Sequence, residues 1–270
     1  MKKKLKLIIW PIIYLVLIIN VCISFILVFR SYYYRSIFVS GSSMMPTLNG
    51  NVGDVVDFGL IDDHDSAIKK IKRFQIITTY YPFSDSHDYV GGFDLNKENL
   101  IDESEASYKI KRVYALPNET LRFEVNEEEM NTAIIMANSM PLNQALNSEE
   151  VQYHCRQAIQ LYIKSSDKTD FVKQDIKFKR RINPHKIQQY KDFEFELGDG
   201  EYWVMGDNYS ASSDCFSKKA PIYYQNIVGV LLSIEGTCKI VSDVKIDSTV
   251  DGTKVSYKCT NKKYHFPTYY

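Results

Sequence analysis

Twenty-three consecutive residues without a charge, Leu7 to Phe29, leave this chain few choices. About 20 apolar residues in a helix cross the hydrocarbon core of a bilayer, so the run is read either as a membrane helix or as a secretory signal. Among its residues Asn20 and Ser24 are polar, Pro11 falls near the first turn where a helix tolerates it, and Trp10 sits where an interfacial aromatic belongs. The run exceeds the roughly 7–15 residues of a cleavable signal's apolar region. No alanine occurs before Ala67, so an Ala-x-Ala cleavage site is missing as well. A retained single-pass anchor in the cell membrane is therefore expected. Lys2, Lys3, Lys4 and Lys6 outnumber Arg30 and Arg35, which places the N-terminus in the cytoplasm and everything after Arg30 outside.

The 270 residues suffice for a large core. Lys+Arg 33 against Asp+Glu 33 gives no electrostatic pull toward nucleic acid. Twenty tyrosines and 14 phenylalanines suit β-structure. Beyond Ser31 the apolar period is mostly two: "DVVDF", "FQIITTYY", "YKIKRVYAL", "EYWVMG" and "IVGVLLSI" all read as strands. Val151, Cys155, Ala158 and Tyr162 instead recur at helical spacing behind a capping pair, Asn147 and Glu150, which predicts a helix over Asn147 to Lys164.

Three short segments hold the chemistry. "VSGSSMMPTL", Val39 to Leu48, has no regular periodicity, and taken by itself is a surface turn. "YKIKRVYALP" carries Lys111; as a strand it puts Lys109, Lys111 and Val113 on one face and Tyr108, Ile110 and Arg112 on the other. Its plain reading is a basic edge strand. "EYWVMGDNYSASSD" runs a buried-looking strand into a serine-rich turn. A serine hydroxyl needs a base before it becomes a nucleophile. No histidine here sits in a motif suggesting that role; His64 and His87 lie in acidic "DDHD" and "DSHD" stretches and read as loop residues. A lysine can serve if burial suppresses its charge, since at its ordinary pKa only around one in a few thousand is neutral at pH 7.

Taken in order, "SGSSMMPTL" (Ser40–Leu48), "GDVV" (Gly53–Val56), "YKIKRVYALP" (Tyr108–Pro117) and "GDNYSASSD" (Gly206–Asp214) resemble the sequence boxes of bacterial type I signal peptidases, with an anchor at the right distance before them. The boxes cover about an eighth of the chain, and their order makes them specific. The resemblance implies that Ser43 is the nucleophile and Lys111 the general base, with no cofactor. It implies a mainly β fold with an antiparallel catalytic core; the charged stretch from about Leu121 to Gly200, which carries no recognisable site chemistry, reads as an inserted α+β lobe, and the apolar run as one N-terminal transmembrane helix. Residues 1–6 are then cytoplasmic, 7–29 transmembrane, 30–120 and 201–240 the catalytic core, 121–200 the inserted lobe, and 241–270 a C-terminal hairpin and tail. Implied partners are signal peptides of exported preproteins, the lipid bilayer and the secretion translocon. Met44 is implied to lie near the membrane and Ser212 to orient the lysine, while Asp207 and Asp214 support the site without acid/base work. Gly41 stands where some members carry a serine that donates to the oxyanion.

The fourth box departs from the family. Tyr209 replaces an arginine after "GDN", and Cys215-Phe216 replaces a Ser-Arg pair, so bracing salt bridges are expected to be absent or replaced. "ALPNE" stands for the common "GLPGD", which alters a turn. This divergence keeps a rival open: a catalytically inactive, membrane-tethered binding protein with the same fold. The self-cleaving repressor peptidases, which share Ser/Lys chemistry, lack an anchor and carry a DNA-binding module, and neither fits.

No cysteine or histidine pair has metal-ligand spacing. Asp251-Gly252 predicts a two-residue hairpin turn that sets Val244 opposite Cys259. An outside location would permit a bridge between Cys238 and Cys259, but Cys238 would then lie roughly 20 Å along the strand from Cys259's partner position, too far unless the chain bends back.

Overall fold

A computed structural model of the protein describes residues 2–52, 55–81, 95–96, 100–101, 107–240 and 259–269. Helix α1 (Lys2–Tyr33) carries the apolar run and continues through Pro11. Trp10–Arg30 is long and apolar enough to cross a membrane. Its side chains are exposed all round, as Phe25 at 69% and Val21 at 67% illustrate; in water so continuous an apolar surface would be costly. At its end Arg30 pairs with Glu235.

The body is mainly antiparallel β-structure. In chain order its strands are β1 (Arg35–Phe38), β2 (Val55–Asp62), β3 (Ile76–Tyr81), β4 (Ser107–Ala115), β5 (Glu119–Val125), β6 (Ile159–Ser165), β7 (Val172–Lys173), β8 (Glu194–Glu196), β9 (Glu201–Met205), β10 (Ile222–Tyr223), β11 (Ile227–Ile240) and β12 (Cys259–Tyr269). One sheet runs β1-β2-β11-β3-β4-β9-β10, with β12 added along β11 and the short strand Gly50–Val52 along β2. A second sheet, β7-β6-β5-β8, belongs to the segment between β4 and β9. All five segments with period-two patterning are strands.

The "ALPNE" turn joins the two sheets. Asn118 stands in the left-handed region, φ 62°, a conformation that asparagine tolerates and glycine adopts freely. Glu119, just after it, receives Arg73 through both guanidinium nitrogens at 3.0 and 2.8 Å.

The helix expected over Asn147 to Lys164 is shorter. It spans Glu149–Ala158 and is capped by Ser148, whose hydroxyl accepts from Val151 N–H, not by Asn147. Ile159–Ser165 is a strand, fully paired to β5. Tyr162 lies four residues after Ala158, a spacing that fits either period, and the alternating burial of Ile159, Leu161 and Ile163 decides for strand. A helix that the apolar pattern did not reveal spans Glu127–Asn138; Asn126 caps it and three glutamates fill its first turn, favourable to the helix dipole.

Cys238 and Cys259 form a disulfide with Cα atoms 5.5 Å apart, contrary to the expected separation. Ile240, not Val244, is opposite Cys259, and register shifts interrupt the β11–β12 ladder on both sides of Gly236–Lys239. Bulges of this kind insert residues that an ideal hairpin register does not count. The Asp251-Gly252 turn itself lies outside the described residues, as do Gly53 and Asp54 of the second box and His87.

Candidate active site

The "VSGSSMMPTL" stretch leaves β1 as a series of turns pinned to the core from below. Met44 and Leu48 are fully buried, in an apolar cluster with Ile37, Val39, Ile61 and Ile76. Met44 therefore packs inward and presents no surface to lipid, whatever its distance from the bilayer. Gly41 has φ +80°, and its carbonyl lies where a Cβ on Gly50 would stand, so this crossing requires a small residue at 50. Between these anchors Ser43 remains partly exposed.

Lys111 belongs to β4, which is not an edge: β3 pairs it on one side and β9 on the other. The basic edge-strand reading thus fails, and both faces of the strand are covered. Lys111 is 2% exposed. Its Nζ donates to Ser43 Oγ at 2.8 Å and to the Ile110 carbonyl at 3.1 Å. Burial, seconded by nearby Lys109, brings its pKa down to about 8, although Asp214 and Asp207 pull the other way. At pH 7 about one molecule in ten then holds it neutral.

Asp207 is fully buried and paired. Arg112 grips it through Nε at 2.8 Å and Nη2 at 2.6 Å, and the Thr47 hydroxyl donates to it as well. The third guanidinium nitrogen donates to the Phe74 carbonyl at 2.7 Å. One residue further on, Asn208 donates its N–H to the Ser43 carbonyl and its amide to the Ser42 carbonyl, both at 2.9 Å. Gly206 is sterically obligatory here: a Cβ would overlap the Ser43 carbonyl and the Ser212 side chain. The fourth box therefore grips the Ser43 backbone directly.

The missing arginines are replaced from elsewhere. Tyr209 hydroxyl donates to Tyr114 at 2.8 Å, and the buried Arg180 guanidinium stands 5.6 Å from the Tyr209 ring. Asp214, lacking an arginine, turns to backbone donors: Gly206 N–H at 3.0 Å, Phe216 N–H at 3.1 Å and Ser217 N–H at 3.2 Å. The last two cap the short helix Cys215–Lys218. Burial raises its carboxyl pKa, and its backbone N–H donors and the Lys111 charge counter that. Ser212 Oγ is buried against this carboxylate without reaching hydrogen-bond geometry to any described group, Lys111 included.

So Ser43 and Lys111 meet, Gly41 and Met44 shape the turn beneath, and Asp207 and Asp214 brace the fourth box. Sequence reasoning passed over Arg112's grip on Asp207, Asn208's hold on Ser42 and Ser43, and Thr47. Partners 95 residues apart leave no local signal, though Arg112 directly after the lysine was a visible candidate cation. Groups of histidine, cysteine and carboxylate able to hold a metal are absent among the described residues.

No curated protein matches the chain. The family model described as signal peptidase, peptidase S26, matches residues 12–234, a span from within α1 through all four boxes and the intervening lobe. With that match over most of its length, the chain belongs to the signal peptidase family, peptidase S26.

Proposed function

We propose that the protein is a membrane-anchored serine endopeptidase that removes signal peptides from exported preproteins through a Ser43/Lys111 dyad. Family membership supports a signal peptidase. The observation that carries the finer reading is a buried lysine with its amine 2.8 Å from a partly exposed serine hydroxyl.

The mechanism follows from these roles. Neutral Lys111 takes the Ser43 proton as Oγ attacks the scissile carbonyl. The Ser43 N–H is the candidate donor to the developing oxyanion; Gly41 has no side chain to add a second. The ammonium of Lys111 returns the proton to the leaving amine of the mature protein. Water, deprotonated in turn by Lys111, then hydrolyses the acyl-enzyme and frees Ser43. Asp207 and Asp214, held by guanidinium and backbone donors, stay out of proton transfer.

Helix α1 supplies the anchor, with the lysine-rich N-terminus in the cytoplasm and the catalytic body outside. A bilayer on that side brings the body to where signal peptides emerge. The inactive-relative reading drew its support from the degenerate fourth box, and that box is braced here by Arg112, Arg180 and backbone donors.

The test is cleavage of a preprotein by the detergent-solubilised full chain, with sequencing of the new N-terminus. Cleavage behind the signal peptide by the parent, lost in Ser43→Ala, is the expected result. A Ser43→Ala variant that cuts like the parent overturns the reading.

A further inference from the structure

The segment between the lobe and β9 does more than connect. Phe178 covers the Arg112 guanidinium, 3.9 Å from its ring centroid, and packs edge-on against Phe74 and Tyr114. Arg180 is buried, donating to the Arg156 carbonyl at 2.9 Å and standing against Tyr209. Arg181 N–H donates to the Asp207 carbonyl at 2.8 Å, and Arg181 bridges Asn208 in parallel. Ile182 is bonded both ways to the buried Gln152 side chain, its N–H donating at 2.7 Å and its carbonyl accepting at 2.8 Å. Gln152 lies on the lobe helix Glu149–Ala158.

These contacts form a continuous path. It runs from the lobe helix through Gln152 to Ile182 and Arg181, then to Asp207 and Asn208, and ends on the Ser42 and Ser43 carbonyls. A side branch through Phe178 covers the guanidinium of the Arg112–Asp207 pair, and Arg112 directly follows Lys111 on β4. An ion pair kept dry holds its geometry more tightly than one open to solvent.

We propose that the inserted lobe is a positioning element: residues 178–182 form a strut that fixes Asn208, and through it the Ser43 backbone, in register with Lys111. Phe178 and Gln152 are positioning residues; neither touches the reacting atoms. The proposal rests on the Ser43/Lys111 reading for its kinetic consequence and on geometry alone for its structural one.

The experiment compares Phe178→Ala, Phe178→Tyr and Gln152→Leu with Ile163→Ala, a lobe-core substitution on β6 that destabilises the lobe away from the strut. Each full-length variant is assayed for preprotein cleavage well below its melting temperature. Hydrogen exchange is followed in peptides covering 42–48 and 206–212. Expected are a kcat about ten- to a hundredfold lower for Phe178→Ala and Gln152→Leu with KM within about twofold. Phe178→Tyr recovers kcat, Ile163→Ala keeps it, and the Asn208 amide exchanges faster in the two strut variants. Parental kcat in Phe178→Ala and Gln152→Leu overturns the proposal. So does an equal loss in Ile163→Ala, which would reduce the effect to lobe stability, and so does unchanged exchange at Asn208. A Ser43→Ala control that still cleaves would instead sink the dyad, leaving the exchange measurement to decide the strut.

Discussion

Lys111 Nζ lies 2.8 Å from Ser43 Oγ in the interior of a sheet, the lysine buried and the serine partly exposed. The burial that lowers the amine's pKa is also a liability for the fold. Its folded pKa of about 8 is below that of an exposed lysine, so the unfolded chain holds more protons between pH 8 and 10.5. Stability therefore rises with pH through that window, and the full penalty is present below it. Replacing Lys111 with methionine removes a penalty of up to about 3 kcal/mol at neutral pH, less the two hydrogen bonds lost. Lys111→Met is expected to melt several degrees higher than the parent at pH 7 and to lose that advantage near pH 10. Thermal melts of the solubilised protein at the two pH values check it.

Arg112 and Asp207 form a buried bidentate pair, and removing one partner strands the other. Asp207→Leu leaves a buried guanidinium without its anion and is expected to cost about 3–5 kcal/mol. Arg112→Lys keeps the charge but loses the fork, and is expected to lose stability as well, to a smaller extent. Denaturant titration of both variants measures the difference.

Gly206 leaves no room for a side chain between the Ser43 carbonyl and Ser212. Gly206→Ala must move both, and because the Ser43 carbonyl is backbone, no rotamer change relieves that overlap without displacing the Ser43 turn. The expected result is loss of most cleavage at a stability cost of about 1–3 kcal/mol. Cleavage rate and melting temperature, measured on the same preparation, separate the two effects.

The Cys238–Cys259 disulfide closes a loop over a sequence separation of 21 and ties β12 to β11. A closure of that size is worth about 3 kcal/mol on the chain-entropy account. Cys238→Ser with Cys259→Ser is expected to lower stability by up to that amount, while cleavage at low temperature is unchanged. Mass spectrometry after alkylation, with and without reductant, reports the bond directly.

How far the sequence reveals this protein depends on the range of each interaction. The apolar run, the period-two strands and the ordered boxes are local, and each is visible in the chain. Ser43 and Lys111 could be paired only through a resemblance, since nothing near either residue names the other. The end of the lobe helix was misplaced because Ala158 to Tyr162 satisfies two periods at once. The disulfide was missed because bulges shift the register of β11 against β12. The bracing of the fourth box was invisible for a different reason. Arg180 reaches Tyr209 and Arg112 reaches Asp207 from other elements, so a substitution in the box reads as a loss until the fold supplies the compensation.

If neutral Lys111 activates Ser43, the pH dependence of kcat/KM for preprotein cleavage follows the titration of its amine. The expected profile climbs tenfold per pH unit below a single apparent pKa of about 8 and levels above it. Lys111→Ala should be inactive across the range. A rising limb centred near 6.5, where histidine titrates, or a Lys111→Ala variant that retains the parent's profile, is incompatible with a lysine base.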